Sequence, residues 1–172
     1  MLRVAPAGSV GAVGTARAAG AVGLVAAGLL LGGCSDATGT YCQTLADQQQ
    51  VVAELAGSQR PSREQLHSGL AAFEELQQAA PTDIRDEWDT FVFAWQDLVE
   101  AFDAAGVDPA RFRPQDPPPQ ATAAQVQAIE SAAAELASAR VTDAGRGIEQ
   151  HARDVCDVDL GTPADGGARA GG

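Results

Sequence analysis

Apolar residues recur with a helical period in four segments of the chain. The third segment is the most regular, since its apolar residues are always three or four positions apart, and Gly106 ends it. These apolar positions are Ile84, Trp88, Phe91, Trp95, Leu98 and Phe102. The first segment covers residues 41–56, with Thr40 placed to cap the helix and Gly57 to end it. Both patterns predict amphipathic helices that bury one face.

The second and fourth segments begin with a recognisable helix start. Ser62 and Gln65 have the spacing of a capping box, in which each side chain satisfies a backbone N–H of the other residue. Thr122 and Gln125 repeat this spacing at the start of the fourth helix. The apolar pattern of that helix weakens over residues 142–147 and then resumes. Its members are Val126, Ile129, Ala133 and Leu136, followed by Ile148, Ala152 and Val155.

Proline and glycine mark the connections and the end of the chain. Residues 107–121 include Pro114 and three prolines at 117–119, and proline cannot continue a helix, so we expect an extended connection there. For the same reason Pro81 ends the second helix. Residues 160–172 are rich in glycine and alanine without an apolar pattern, which predicts a disordered tail after a helical domain at 41–159.

Residues 1–33 have the composition of a secretory signal peptide. They contain Arg3 and Arg17 but no acidic residue, and they end in an uncharged stretch, residues 18–33, that includes five glycines. A membrane-spanning helix needs about 20 predominantly apolar residues, so this stretch is short for that role. We therefore expect a signal peptide that is removed on export, with an uncleaved signal anchor as the alternative.

The stretch ends in Leu31-Gly32-Gly33-Cys34, which resembles the lipobox of bacterial lipoproteins: a leucine, two small residues and a cysteine. The resemblance implies that a peptidase cleaves before Cys34 and that this cysteine carries a diacylglycerol thioether. Gly32 departs from the usual alanine or serine. Residues 34–40 would then form a lipidated, flexible spacer. Because two acyl chains give a stable anchor where one does not, we expect attachment to the outer face of the cell membrane. The alternative is a chance cysteine.

Cys42 and Cys156 are the other cysteines, and in an exported protein a disulfide between them is the expected state. A metal pair or reactive thiol has little support, because the sequence has no CxxC motif. In an up-down four-helix bundle the first helix begins where the fourth ends, so the two cysteines can meet. A chain reversal at residues 142–147 would separate them. We therefore predict an all-α, up-down four-helix bundle whose fourth helix is kinked there.

The charge of the chain excludes one class of partner. All 23 acidic residues follow Cys34, whereas Arg3 and Arg17 precede it, which leaves nine basic groups and a formal charge of −14 on the mature chain. Nucleic-acid binding needs a basic surface, so we expect none. An acidic surface also does not dock on anionic lipid, so membrane attachment requires the lipid on Cys34.

Few residues offer candidate chemistry. His67 and His151 could ligate haem or a metal, although two solvent-facing histidines are the simpler interpretation. Trp88 and Trp95 could stack on a ligand ring, but packing in the core explains them better. Two acidic groups lack the spacing of a calcium loop and fit solvated helix faces: Asp83, Asp86, Glu87 and Asp89, and Asp154, Asp157 and Asp159. We expect no catalytic, metal or cofactor-binding residue.

The mature chain begins with Tyr41-Cys42, carries Pro81-Thr82-Asp83 before its tryptophan-bearing helix, and has a late cysteine, Cys156. In this it is similar to small helical lipoproteins of high-GC Gram-positive bacteria, a resemblance that brings no site residues with it. We therefore expect a non-enzymatic module that binds an envelope protein or has a structural role. The alternative is a binder of a small ligand or cation, in a pocket lined by Trp88, Trp95 and Phe102.

Overall fold

A computed structural model of the chain describes residues 33–160, and the side chains of residues 37–160. This part is all-helical, as predicted, with no strand and with five α-helices: α1 (Gly33–Gly57), α2 (Arg63–Ala79), α3 (Arg85–Ala105), α4 (Ala123–Leu136) and α5 (Ala139–Cys156). The predicted signal peptide before Gly33, the side chain of Cys34 and the predicted tail after Leu160 lie outside the described residues. No helix in the described range is long and apolar enough to cross a membrane.

The predicted helix starts of α2 and α4 are confirmed. At α2 the Ser62 hydroxyl accepts a hydrogen bond from the backbone N–H of Gln65, and the Ser62 N–H donates to the Gln65 side chain. Thr122 and Gln125 form the same reciprocal pair at α4. At the end of α3, Gly106 has φ = 63°, a left-handed conformation that glycine adopts without a steric penalty.

The first helix begins earlier than predicted. We expected a flexible spacer through Thr40, but α1 begins at Gly33 and includes residues 35–40. Thr40 is therefore not a cap; its carbonyl accepts a hydrogen bond from the Thr44 hydroxyl at 3.0 Å, which is a contact typical of a helix interior. No proline lies between residues 35 and 40, and Gly39 lowers the stability of the helix without removing a backbone hydrogen bond.

The predicted fourth helix is two helices, α4 and α5, and the break is not at residues 142–147. The chain leaves the helix at Ala137, and the Ser138 hydroxyl caps α5 by accepting the N–H of Val141. Residues 142–147 lie inside α5. The buried face continues through them, because Ala144 is buried between Val141 and Ile148, but its small side chain makes the apolar pattern weak in the sequence.

The chain does not turn back between α4 and α5. Gln125, near the start of α4, donates to the carbonyl of Ala104 at the end of α3. His151, near the end of α5, lies 3.4 Å from Asp83, which precedes α3. The two helices thus follow α3 in succession. The predicted disulfide is confirmed: Cys42 and Cys156 are bonded, with their Cα atoms 5.1 Å apart.

The core surrounds α3, and α4 contributes little to it. Trp88 is 1% exposed, whereas Ile129 is the one buried residue of α4. The burial of three residues differs from the prediction. Ala133 and Val155, predicted to face inward, are exposed, while Leu160, predicted to begin the tail, is buried against the core.

The connection between α3 and α4 is not simply extended. It contains a single 3-10 turn, Pro109–Arg111, whose cap residue Asp108 accepts the N–H of Ala110. Phe112 then packs edge-on against Phe102 with ring centroids 5.5 Å apart. The connection therefore covers the end of the apolar face of α3.

Candidate functional site

A cavity of about 350 Å³ lies between α1, α2, α3 and α5. Its volume is at the lower end of the roughly 300–1,000 Å³ that small-molecule sites occupy in proteins. Eleven residues line it: Val52, Leu55, Ala56, Phe73, Trp88, Phe91, Trp95, Gly145, Ile148, Glu149 and Leu160. All but Glu149 are apolar or glycine, so the cavity suits an apolar molecule.

Four aromatic rings form one wall of the cavity. Trp88, Phe91 and Trp95 lie on a single face of α3, because their spacings of three and four residues match the helical period. Phe73 of α2 packs between them, with ring centroids 5.1 Å from Phe91 and 5.4 Å from Trp95. Each of the four rings packs against at least two of the others.

Trp88 is also held by a hydrogen bond. Its indole N–H donates to the Tyr41 hydroxyl at 2.9 Å, and both residues are buried. Burial raises the pKa of the Tyr41 phenol; the hydrogen bond from Trp88 acts in the opposite direction, and the negative charge of Asp83 adds to the rise. Tyr41 therefore anchors the aromatic wall, and the rise in its pKa favours the neutral phenol.

Small and polar residues form the opposite side and the mouth of the cavity. Gly145 leaves space in front of Phe91 because it has no side chain. Ala56 of α1 and Glu149 of α5 are exposed and mark the opening. Leu160 closes part of the wall, and the neighbouring carbonyl of Asp159 accepts a hydrogen bond from Gln49 of α1 at 2.7 Å. The segment after α5 is thus held against α1 beside the cavity.

Two of the three residues predicted to line a pocket do so. Trp88 and Trp95 border the cavity, whereas Phe102 is not among the lining residues and packs against Phe112. Sequence reasoning did not identify Phe73, Gly145 or Glu149 as lining residues. Helical periodicity marks which residues face inward, but whether an inward residue borders a void depends on the volumes of its neighbours.

The two histidines do not face each other. His67 is about half exposed and lies 3.1 Å from Asp103, near the end of α3. We expected His151 to face the solvent, but its side chain is only 12% exposed. It packs edge-on against the Tyr41 ring and approaches Asp83, which precedes α3. Because the two aspartates lie at opposite ends of α3, the histidines cannot share a ligand.

The acidic groups form hydrogen bonds at the surface. Asp89 accepts from Gln77 at 2.8 Å, and Asp154 accepts from Gln150. Within residues 33–160, no three histidine, cysteine, aspartate or glutamate side chains are grouped closely enough to hold a metal ion.

Comparison of the chain with family models, with curated proteins and with solved structures found no match.

Proposed function

We propose that this protein is a lipid-anchored helical protein at the outer face of the cell membrane, and that it holds a small apolar ligand in the aromatic cavity without transforming it. The motif Leu31-Gly32-Gly33-Cys34 supports the anchor, and the basic, then apolar, segment before it supports export. In this proposal four helical layers run up and down, with α4 and α5 together as the fourth.

The observation that carries the ligand-binding proposal is the cavity itself. Protein interiors are normally close-packed, and voids larger than a water molecule are few. Here a space of about 350 Å³ is lined by four aromatic rings and opens to the surface beside Ala56. A well-formed apolar pocket is the usual place for a small ligand. It favours ligand binding over the partner-binding role that we expected first from the sequence.

The two tryptophans of the chain, Trp88 and Trp95, both line the cavity, so intrinsic fluorescence reports on it directly. The test titrates octanol into the proposed mature chain, residues 34–172, with the substitution Cys34→Ser. This variant cannot carry the proposed lipid, so no detergent is needed. The described core residues lie within 41–160, so this chain retains them. We expect a saturable change in tryptophan emission.

A pair of matched variants locates the binding. Ala56→Phe places a ring in the mouth of the cavity and should abolish the saturable change. Ala134→Phe makes the same substitution at an exposed position of α4 that does not line the cavity, and it should bind octanol like the parent. Absence of saturation in the parent, or equal binding by Ala56→Phe, would contradict the proposal.

An exposed phenylalanine supports a second candidate function, the binding of an envelope protein. Phe93 of α3 is 58% exposed, the most exposed large apolar side chain in the described range. A photo-crosslinking residue at position 93, introduced on intact cells, should capture one reproducible protein, whereas the same residue at Ala134 should capture none. Equal recovery at both positions, or none at either, would exclude this role for Phe93.

A further inference from the structure

The charge at the mouth of the cavity identifies a class of ligand, an inference that rests on the proposed ligand binding. Among the eleven lining residues, Glu149 has the one ionisable side chain. Glu149 is exposed and lies at the opening of the cavity. A ligand that fills the apolar interior therefore has a single charged contact available at the rim, and that contact is a carboxylate.

The Glu149 carboxylate is only weakly neutralised by its own helix. Its ion-pair partner, Arg153, lies 3.9 Å away, and both side chains are about half exposed. The other arginines of α5 are paired more closely: Arg140 lies 2.5 Å from Glu135, and Arg146 lies 2.9 Å from Asp143. A long, exposed ion pair contributes little free energy, so Glu149 is available to a cationic ligand.

The aromatic wall suits the apolar body of such a ligand. Trp88, Phe91 and Trp95 line the space that this body would fill. The formal charge of −14 on the mature chain also favours the approach of cations over anions.

An anionic ligand of similar shape fits poorly. No lysine, arginine or histidine is among the lining residues, so the carboxylate of a fatty acid would have no oppositely charged partner in the cavity, and at the rim it would lie near Glu149. Like charges at short distance repel, and a carboxylate that loses hydration without gaining a cationic partner is disfavoured.

We infer that the cavity binds an amphipathic cation, with the apolar body against Trp88, Phe91 and Trp95 and an alkylammonium group at the Glu149 carboxylate. Glu149 sets the charge preference of the site, and the aromatic wall supplies most of the binding area. Removal of the Glu149 charge should therefore reduce the affinity for the ammonium ligand and leave the affinity for an uncharged ligand of equal chain length unchanged.

The test compares three probes with the same eight-carbon chain, each below its micelle-forming concentration: octyltrimethylammonium, octanol and octanoate. Tryptophan emission is measured on the mature chain with Cys34→Ser. Given the usual strength of an exposed ion pair, we expect the ammonium to bind about five-fold more tightly than octanol and at least about ten-fold more tightly than octanoate.

Two variants separate the local charge from the overall charge. Glu149→Gln should weaken ammonium binding by about three-fold without changing octanol binding. Glu130→Gln removes one negative charge from an exposed position of α4 that does not line the cavity, and it should behave like the parent. Thermal melting of both variants checks that the fold is unchanged.

The outcomes distinguish this inference from the proposal beneath it. Saturable octanol binding without a preference for the ammonium, or equal effects of Glu149→Gln and Glu130→Gln, would overturn the inference and leave ligand binding intact. No saturable binding of any probe would overturn both. A preference for octanoate would reverse the ligand class.

Discussion

Tyr41 is the only tyrosine of the chain, and its buried hydroxyl accepts the hydrogen bond that holds Trp88 in the cavity wall. Tyr41→Phe removes the acceptor and leaves the Trp88 N–H buried without a partner. An unsatisfied buried donor costs about 1–3 kcal/mol. We expect the free energy of unfolding in urea to fall by that amount at neutral pH. An unchanged urea midpoint would mean that the indole N–H finds another acceptor.

The same residue predicts how stability changes at alkaline pH. Burial raises the pKa of Tyr41 above its ordinary value of 10.0, so the folded state favours the neutral phenol. This contribution to stability is complete below pH 10 and is lost as the pH rises from 10 through the higher pKa of the folded protein. The sequence contains no lysine, so few other groups titrate in this range.

The measurement is the unfolding free energy at a series of alkaline pH values, with the ultraviolet absorbance of tyrosinate recorded on the folded protein. Stability of the Cys34→Ser chain should decrease above pH 10, and tyrosinate should form in the folded protein only above that value. Tyr41→Phe should show a much flatter dependence. Native-state titration of Tyr41 at or below pH 10 would contradict its burial.

At the level of helices, residues 33–40 distinguish the observed structure from the sequence expectation. Gly39 lies inside α1, and a Cβ there would have no atom within 4 Å. Alanine is better than glycine in a helix interior by about 1 kcal/mol. If residues 35–40 are helical in the mature protein, Gly39→Ala should raise the free energy of unfolding by about 0.5–1 kcal/mol. If they form a flexible spacer, urea unfolding should show no change.

The sequence predicted the helices where backbone chemistry gives a local signal. Ser62 and Thr122 are each followed three residues later by glutamine, and both cap as expected. Ser138 also caps a helix, but Val141 occupies the corresponding position, so no capping box marked the break between α4 and α5. The cavity could not be predicted from the sequence, because its existence depends on how the side chains of four helices pack around the space beside Gly145.

At the scale of the whole molecule, the disulfide joins the first and last helices of the described fold, the two that flank the mouth of the cavity. Cys42 and Cys156 are 114 residues apart, and the chain-entropy model assigns about 4–5 kcal/mol to closing a loop of that length. We expect Cys42→Ser with Cys156→Ser to lower the free energy of unfolding, by up to that amount. Urea midpoints of the double variant and the parent measure the loss; equal midpoints would contradict this role.

The proposed function needs the folded domain at the membrane, and the proposed attachment is a single residue, Cys34. The most direct test is the intact mass of the protein extracted from the membrane fraction of cells that express the full chain. We predict a chain that begins at Cys34 and carries the added mass of a diacylglycerol thioether. Cys34→Ala should leave a precursor that retains residues 1–33 and has no acyl mass. A wild-type chain that begins elsewhere, or that carries no lipid, would contradict the account.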